Sequence, residues 1–292
     1  MKQLLKSDRF WLFTSLVGLT LFYLNLTWKT TGDIDRLTTD SLFGIAILWL
    51  LWRRQDKFSY DSDFFSTLIG LSVIVIVLVK SVSLFWFEST LLPLIPVLAC
   101  FGLALIASGF KGLRQYWREL LFAWFLFFPE GIIGLFVDRI FHITVITAKF
   151  SAFFLYYFGF NVATQGNEVI LSLPQSGNFK AIVDYPCAGV PMILLILKLS
   201  LLLLSFFPFN KTYRFLLPLV SIGIGFVLGI IRVCILTLII PKPAKFDYWH
   251  GTEGGQIFST LAILIFSCFC YWILQKQELL DSSPNHRKPR SI

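Results

Sequence analysis

Three side chains far apart in the chain could act together: Cys187, Arg232 and His250. Cys187 stands in DYPCAGV (184–190), where a polar stretch gives way to a long apolar one. Its neighbours Ala188 and Gly189 are small and leave space around the sulfur. At a helix N-terminus, free backbone N–H groups and the helix dipole favour a thiolate. An inert packing cysteine would look the same. Arg232 lies in FVLGIIRVCILTL (226–238), apolar on both sides. An arginine at bilayer depth costs about 3 kcal/mol or more, so function or pairing competes with snorkelling to the headgroups. His250 sits in WHGTEGG (249–255) and alone reads as an ordinary loop histidine.

Together, thiol, imidazole and guanidinium suit acyl transfer on a peptide bond. The thiol would attack the carbonyl and the imidazole would carry the proton. The guanidinium would stabilise an oxyanion or dock a carboxylate. Asp247 or Glu253 could orient the imidazole, with Asp184 a weaker supporting candidate. Lys198 lies about 16 Å further along the helix that follows Cys187, too far to act beside the thiol. It could snorkel, pair within a bundle or touch substrate. Lys149 and Glu130 are weaker candidates. The pattern calls for no metal, no nucleotide and no other cofactor. His142, His250 and His286 form no metal-spaced cluster, and no C-x2-C pair occurs.

The elements that must hold these groups belong in a membrane. Of 292 residues, 56% are hydrophobic and only 14% are Asp, Glu, Lys or Arg, with a mean hydropathy of +0.75. A soluble domain carries about 25% charge. The shortage excludes a soluble enzyme, a secreted disulfide scaffold and a disordered linker. Nine apolar segments approach the length of a spanning helix: 11–27, 38–52, 64–80, 90–110, 119–137, 140–160, 187–207, 215–240 and 257–274. The first follows Lys2, Lys6 and Arg9 and reads as a retained helix, not a cleaved signal.

The net charge of +8 reports orientation, not nucleic acid. Basic residues 53–57, 111–118, 211–214 and 276–290 mark inside loops. Nine crossings conflict with that order. Eight crossings plus a non-spanning 140–160 segment, interfacial or re-entrant, satisfy it. Both termini are then cytoplasmic, and Cys187, His250 and the exit of Arg232 share the outer side. The polar stretch 161–186 lies outside, where EVILSL and FKAIV pair as a small hairpin with Pro174–Gly177 in the turn. The expected fold is an all-α polytopic membrane protein with that outer-side hairpin. It forms one domain over 1–280, with a catalytic core near 119–275 and a cytoplasmic tail over 281–292.

DYPCAGV, GIIRV (229–233) and HGTEGGQIF (250–258) resemble the exosortase/archaeosortase family, most of all its cyanobacterial members. The resemblance covers about residues 90 to 275. It implies Cys187 as nucleophile, Arg232 as the family arginine and His250 as general acid/base. It also implies membrane-anchored protein substrates with a C-terminal sorting signal: a Pro-Glu-Pro-like motif, a membrane helix and a basic tail. The new terminus would pass to an envelope acceptor, lipid or polysaccharide, on the periplasmic face of the plasma membrane. Many relatives carry Asn three residues before the arginine, where this chain has Gly229. The alternatives are a transporter or anion channel using Arg232 and Lys198, which would predict inverted repeats or broken helices in matching halves that the sequence does not display, or a non-catalytic assembly protein.

Overall fold

The computed structural model describes residues 8–32, 34–84, 92–128, 130–174 and 177–282. The chain forms two compact units, Met1–Pro129 and Glu130–Ile292.

The first unit is helical. It contains α1 (Asp8–Thr31), α2 (Ile34–Arg54), α3 (Phe64–Leu84), α4 (Ile95–Gly112) and α5 (Trp117–Phe127). Two polar ties cross its apolar interior. The Tyr23 hydroxyl donates to Asp40 at 2.6 Å, and Arg54 pairs with the buried carboxylate of Glu119. Helices α3 and α4 meet through Gly70 and Gly102; a Cβ on Gly70 would lie 2.6 Å from the Gly102 carbonyl oxygen. Such close crossings are how glycine promotes helix association in lipid.

One expected span divides. Residues 119–137 do not form a single helix, because α5 ends at Phe127 and Phe128 is extended (φ −62°, ψ 139°). The cause is the following Pro129, which pushes its predecessor out of the helical region. Upstream, Leu92–Phe127 forms a nearly continuous helical stretch of 36 residues, interrupted at Gly109 (φ 64°, ψ −176°).

The second unit opens with α6 (Glu130–Phe141) and α7 (Ile143–Tyr157), bent by 70°. The bend falls at His142, whose φ is 49°. Asp138 secures it by accepting hydrogen bonds from the Thr144 backbone N–H (2.8 Å) and hydroxyl (3.1 Å). The expected non-spanning segment 140–160 covers the end of α6, the bend and α7, while most of α6 comes from the expected span 119–137.

A sheet follows: β1 (Val162–Gln165), β2 (Glu168–Leu173) and β3 (Gly177–Ile182), antiparallel in that order. The expected hairpin is the β2–β3 pair. The sheet has a third strand, β1, which sequence reading left out. Its signal is Gly166-Asn167, a two-residue connection between the paired residues Gln165 and Glu168. Gly166 has φ 61°, which a two-residue hairpin turn demands at its first central position. Val169 and Val183 pack in a core with Ala148, Ala152 and Leu155 of α7, and Leu171 is also buried.

The unit closes with α8 (Val190–Phe206), α9 (Lys211–Ile239), α10 (Pro243–His250) and α11 (Thr252–Ser282). Met192, Ile196, Leu217, Leu228, Phe258 and Phe266 form a second core joining α8, α9 and α11. Residues 281 and 282 of the expected tail still belong to α11, and 283–292 lie outside the described residues.

Among the described residues, five helical segments are long and apolar enough to cross a membrane. They are Phe10–Thr31, Phe64–Ser81, Leu92–Phe127, Lys211–Ile239 and Glu253–Gln277. Counting α6 with α7 as one broken span makes six. The protein is a largely helical membrane protein carrying a small sheet.

Candidate active site

Cys187 belongs to the turn between β3 and α8. The Asp184 carbonyl accepts from the backbone N–H groups of Cys187 (3.0 Å) and Ala188 (2.9 Å), closing that turn. Gly189 then takes φ 85° and starts α8. The left-handed conformation is one reason for glycine here, and close approach is the other. A Cβ on Gly189 would lie 2.7 Å from the Gly225 carbonyl oxygen and 2.8 Å from the Gly229 Cα. A Cβ on Gly229 would lie 2.6 Å from the Ala188 carbonyl oxygen. The turn therefore rests directly on the α9 backbone. From α7, the Thr147 hydroxyl donates to the same Ala188 carbonyl at 3.4 Å. Any side chain at 229 would be driven into this contact.

Cys187 is buried. Helix α8 begins three residues later, so the thiol lies ahead of the helix instead of capping it. Burial pushes its pKa above the ordinary thiol value; the nearby Arg232 guanidinium pulls it down, and Asp184 pushes it up. Burial wins, because a thiolate loses hydration there that one guanidinium does not replace.

Arg232 projects from α9 and is only 9% exposed. Its Nη1 donates to the Pro186 carbonyl at 3.3 Å, and its Nη2 donates to the His250 carbonyl at 3.2 Å. One planar group thus links the residue before Cys187 to the residue His250 itself. The Phe258 ring lies beneath the guanidinium, 5.9 Å from Cζ. Gly255 also lies beside it; a Cβ there would stand 3.5 Å from Nη2, an ordinary contact. Among the described residues the Nε–H has no acceptor, and no carboxylate forms an ion pair with the guanidinium. A buried cation met only by carbonyl dipoles and a ring face is ready to receive an anion.

His250 ends α10. Two glycines make the reversal into α11. A Cβ on Gly251 would lie 2.8 Å from the Asp247 carbonyl oxygen, and one on Gly254 would lie 2.3 Å from the Trp249 carbonyl oxygen. The exposed imidazole stacks on Phe246, with centroids 5.2 Å apart and planes at 15°. Asp247 and Glu253 are exposed, and among the described residues neither hydrogen-bonds the ring. The ring's neighbour is instead Phe246, one helical turn away on the same face. Lys198 is drawn elsewhere, donating to Glu130 at 2.6 Å. Sequence reading missed Phe246, Phe258, Gly255, Gly225 and Thr147. The i, i+4 spacing of Phe246 and His250 was the readable signal.

Comparison with known families completes the picture. The profile described as Transmembrane exosortase (Exosortase_EpsH) matches residues 35–267. The chain belongs to the transmembrane exosortase family. No curated protein and no solved structure matches it. The matched region includes Cys187, Arg232 and His250 and ends within α11. Exosortases are membrane proteins of protein sorting, in keeping with the apolar helices of both units.

Proposed function

We propose that this exosortase is a membrane-embedded thiol protease or transpeptidase of the cyanobacterial type. Its substrate is a membrane protein with a Pro-Glu-Pro-like motif, a membrane helix and a basic tail at its C-terminus. Cys187 Sγ attacks the carbonyl carbon of the scissile bond. His250 takes the thiol proton and returns it to the leaving amine as the C–N bond breaks. The product is a thioester at Cys187. Water, or a hydroxyl or amine of a lipid or polysaccharide acceptor, then displaces the thiol and releases the new terminus.

The observation that carries this reading is the Arg232 bridge between the Pro186 and His250 carbonyls. It ties the backbone beside Cys187 to the backbone of His250, although 63 positions separate the two residues in sequence. Each Nη spends one N–H on that task, so the second N–H of each Nη and the Nε–H remain as donors for a developing oxyanion. The raised Cys187 pKa favours a resting thiol, which gives His250 a proton to remove. The Lys198–Glu130 pair argues against an anion path, since it neutralises a cation such a path would use.

The reading places the second unit as the catalytic core, with its site on the periplasmic face of the plasma membrane. Eight crossings result when Leu92–Phe127 divides at Gly109 and α2 and α8 each cross once. Labelling of single cysteines from outside tests that topology. The function is tested by reconstituting the full chain with a peptide bearing the three-part signal. Mass spectrometry is expected to find cleavage and an acyl adduct on Cys187. Normal cleavage by both Cys187→Ala and Cys187→Ser would refute the thiol mechanism.

A further inference from the structure

The sheet has an open edge that runs toward the nucleophile. In an antiparallel ladder, alternate residues turn their N–H and C=O groups to the neighbouring strand, and those between turn them outward. The Val183 N–H donates to the Asn167 carbonyl at 2.9 Å, which fixes the phase of the β2–β3 ladder. Given the register, Gly177, Phe179 and Ala181 face β2, and Asn178, Lys180 and Ile182 direct their backbone groups outward. Among the described residues no hydrogen bond occupies those outward groups. All three side chains are exposed on the face away from the core. Exposed edges are commonly blocked by a proline, a bulge or an outward charge. Strand β3 has no proline, and the Lys180 ammonium is drawn to Glu168 at 3.3 Å. Cys187 lies five positions beyond Ile182, at most about 17 Å of extended chain.

We propose that β3 is the docking edge for the substrate segment immediately N-terminal to the scissile bond. This rests on the thiol-transfer reading above and adds the mode of recognition. The segment lies extended and parallel to β3, so it travels with β3 toward Cys187. The chain beyond the scissile bond is then free to become the membrane helix. Main-chain bonds to Asn178, Lys180 and Ile182 supply affinity without reading side chains, as in other strand-addition complexes. One edge can therefore serve many proteins that share only a short motif.

The test uses the reconstituted full chain and the three-part membrane peptide, N-methylated at one backbone amide at a time before the scissile bond. Binding to the Cys187→Ala variant is expected to weaken about fivefold at alternate positions and to hold at those between. Lys180→Pro removes an outward N–H while sparing the β2 ladder, as does Asn178→Pro. Each is expected to raise KM about fivefold with kcat kept. Thr164→Pro, outward-facing on the opposite edge strand, is expected to leave KM unchanged. A flat N-methyl profile would overturn the docking edge, as would native KM in both β3 variants. Failure of the native chain to cleave the unmodified peptide would refute the function itself.

Discussion

Replacing Arg232 with lysine isolates the bridge from the charge. The guanidinium reaches Pro186 O at 3.3 Å and His250 O at 3.2 Å with two different nitrogens. A lysine has one ammonium on a stem and cannot serve both carbonyls in that geometry. The cation remains, and one hydrogen bond can remain with it. The other is lost, and a hydrogen bond to a charged group contributes about 1.5–3 kcal/mol. If that energy holds Cys187 and His250 together in the transition state, kcat falls about 10- to 100-fold. Substrate affinity rests on other contacts, so KM should change far less. The assay is steady-state cleavage of the three-part peptide in proteoliposomes, with thermal unfolding measured in parallel. Native kcat in Arg232→Lys would refute the bridge as an organiser of the site. A fall in unfolding temperature with kcat unchanged would make the arginine purely structural.

Three further outcomes are expected. Gly229→Ala forces a Cβ to 2.6 Å from the Ala188 carbonyl, so unfolding in detergent should show a loss of about 1–3 kcal/mol, with slower cleavage. Alkylation of Cys187 by iodoacetamide should have its pH midpoint above that of a free cysteine, because the thiol form is favoured at pH values where a free thiol already ionises. Arg232→Gln removes the lowering charge and should move that midpoint higher, Asp184→Asn should move it lower, and a native midpoint below free cysteine would contradict the burial argument. Phe246→Ala removes the ring beneath His250 and should reduce kcat about threefold to tenfold, from an aromatic contact of about 0.5–1.5 kcal/mol; unchanged kcat would show that stacking does not orient the imidazole.

Arg232 was legible in the sequence because its charge has no ordinary place in an apolar run. Its partners were not, because they are backbone carbonyls, which every residue carries. His250 pointed to a carboxylate orienter because Asp247 and Glu253 are near in sequence. On the helix, Phe246 is better placed, one turn away. Gly229 read as a missing amide, whereas a tight contact between chain segments excludes any side chain there. The apolar runs marked most helices correctly. One exception, 119–137, turned on Pro129, whose local effect outweighed a favourable hydropathy average, and another, 140–160, breaks at His142. Strand β1 escaped because it has only four residues and little burial, although Gly166-Asn167 marked its turn.

The glycine contact between the Cys187 turn and α9 has a mechanical consequence. Backbone presses on backbone there, with no rotamer in between to absorb a displacement. A tilt of α9 would therefore be transmitted to the thiol almost undamped. Gly229 and Arg232 are three residues apart on that helix, so nucleophile and guanidinium should travel as one body. His250 belongs to an exposed reversal whose neighbour Trp249 packs on the core, and the Nη2 hydrogen bond ties the His250 carbonyl to that body. The site is expected to open by swinging the base away and to leave the nucleophile fixed. Spin-label distances should be narrow between α8 and α9 and broad between α9 and α10; equal widths would contradict this division.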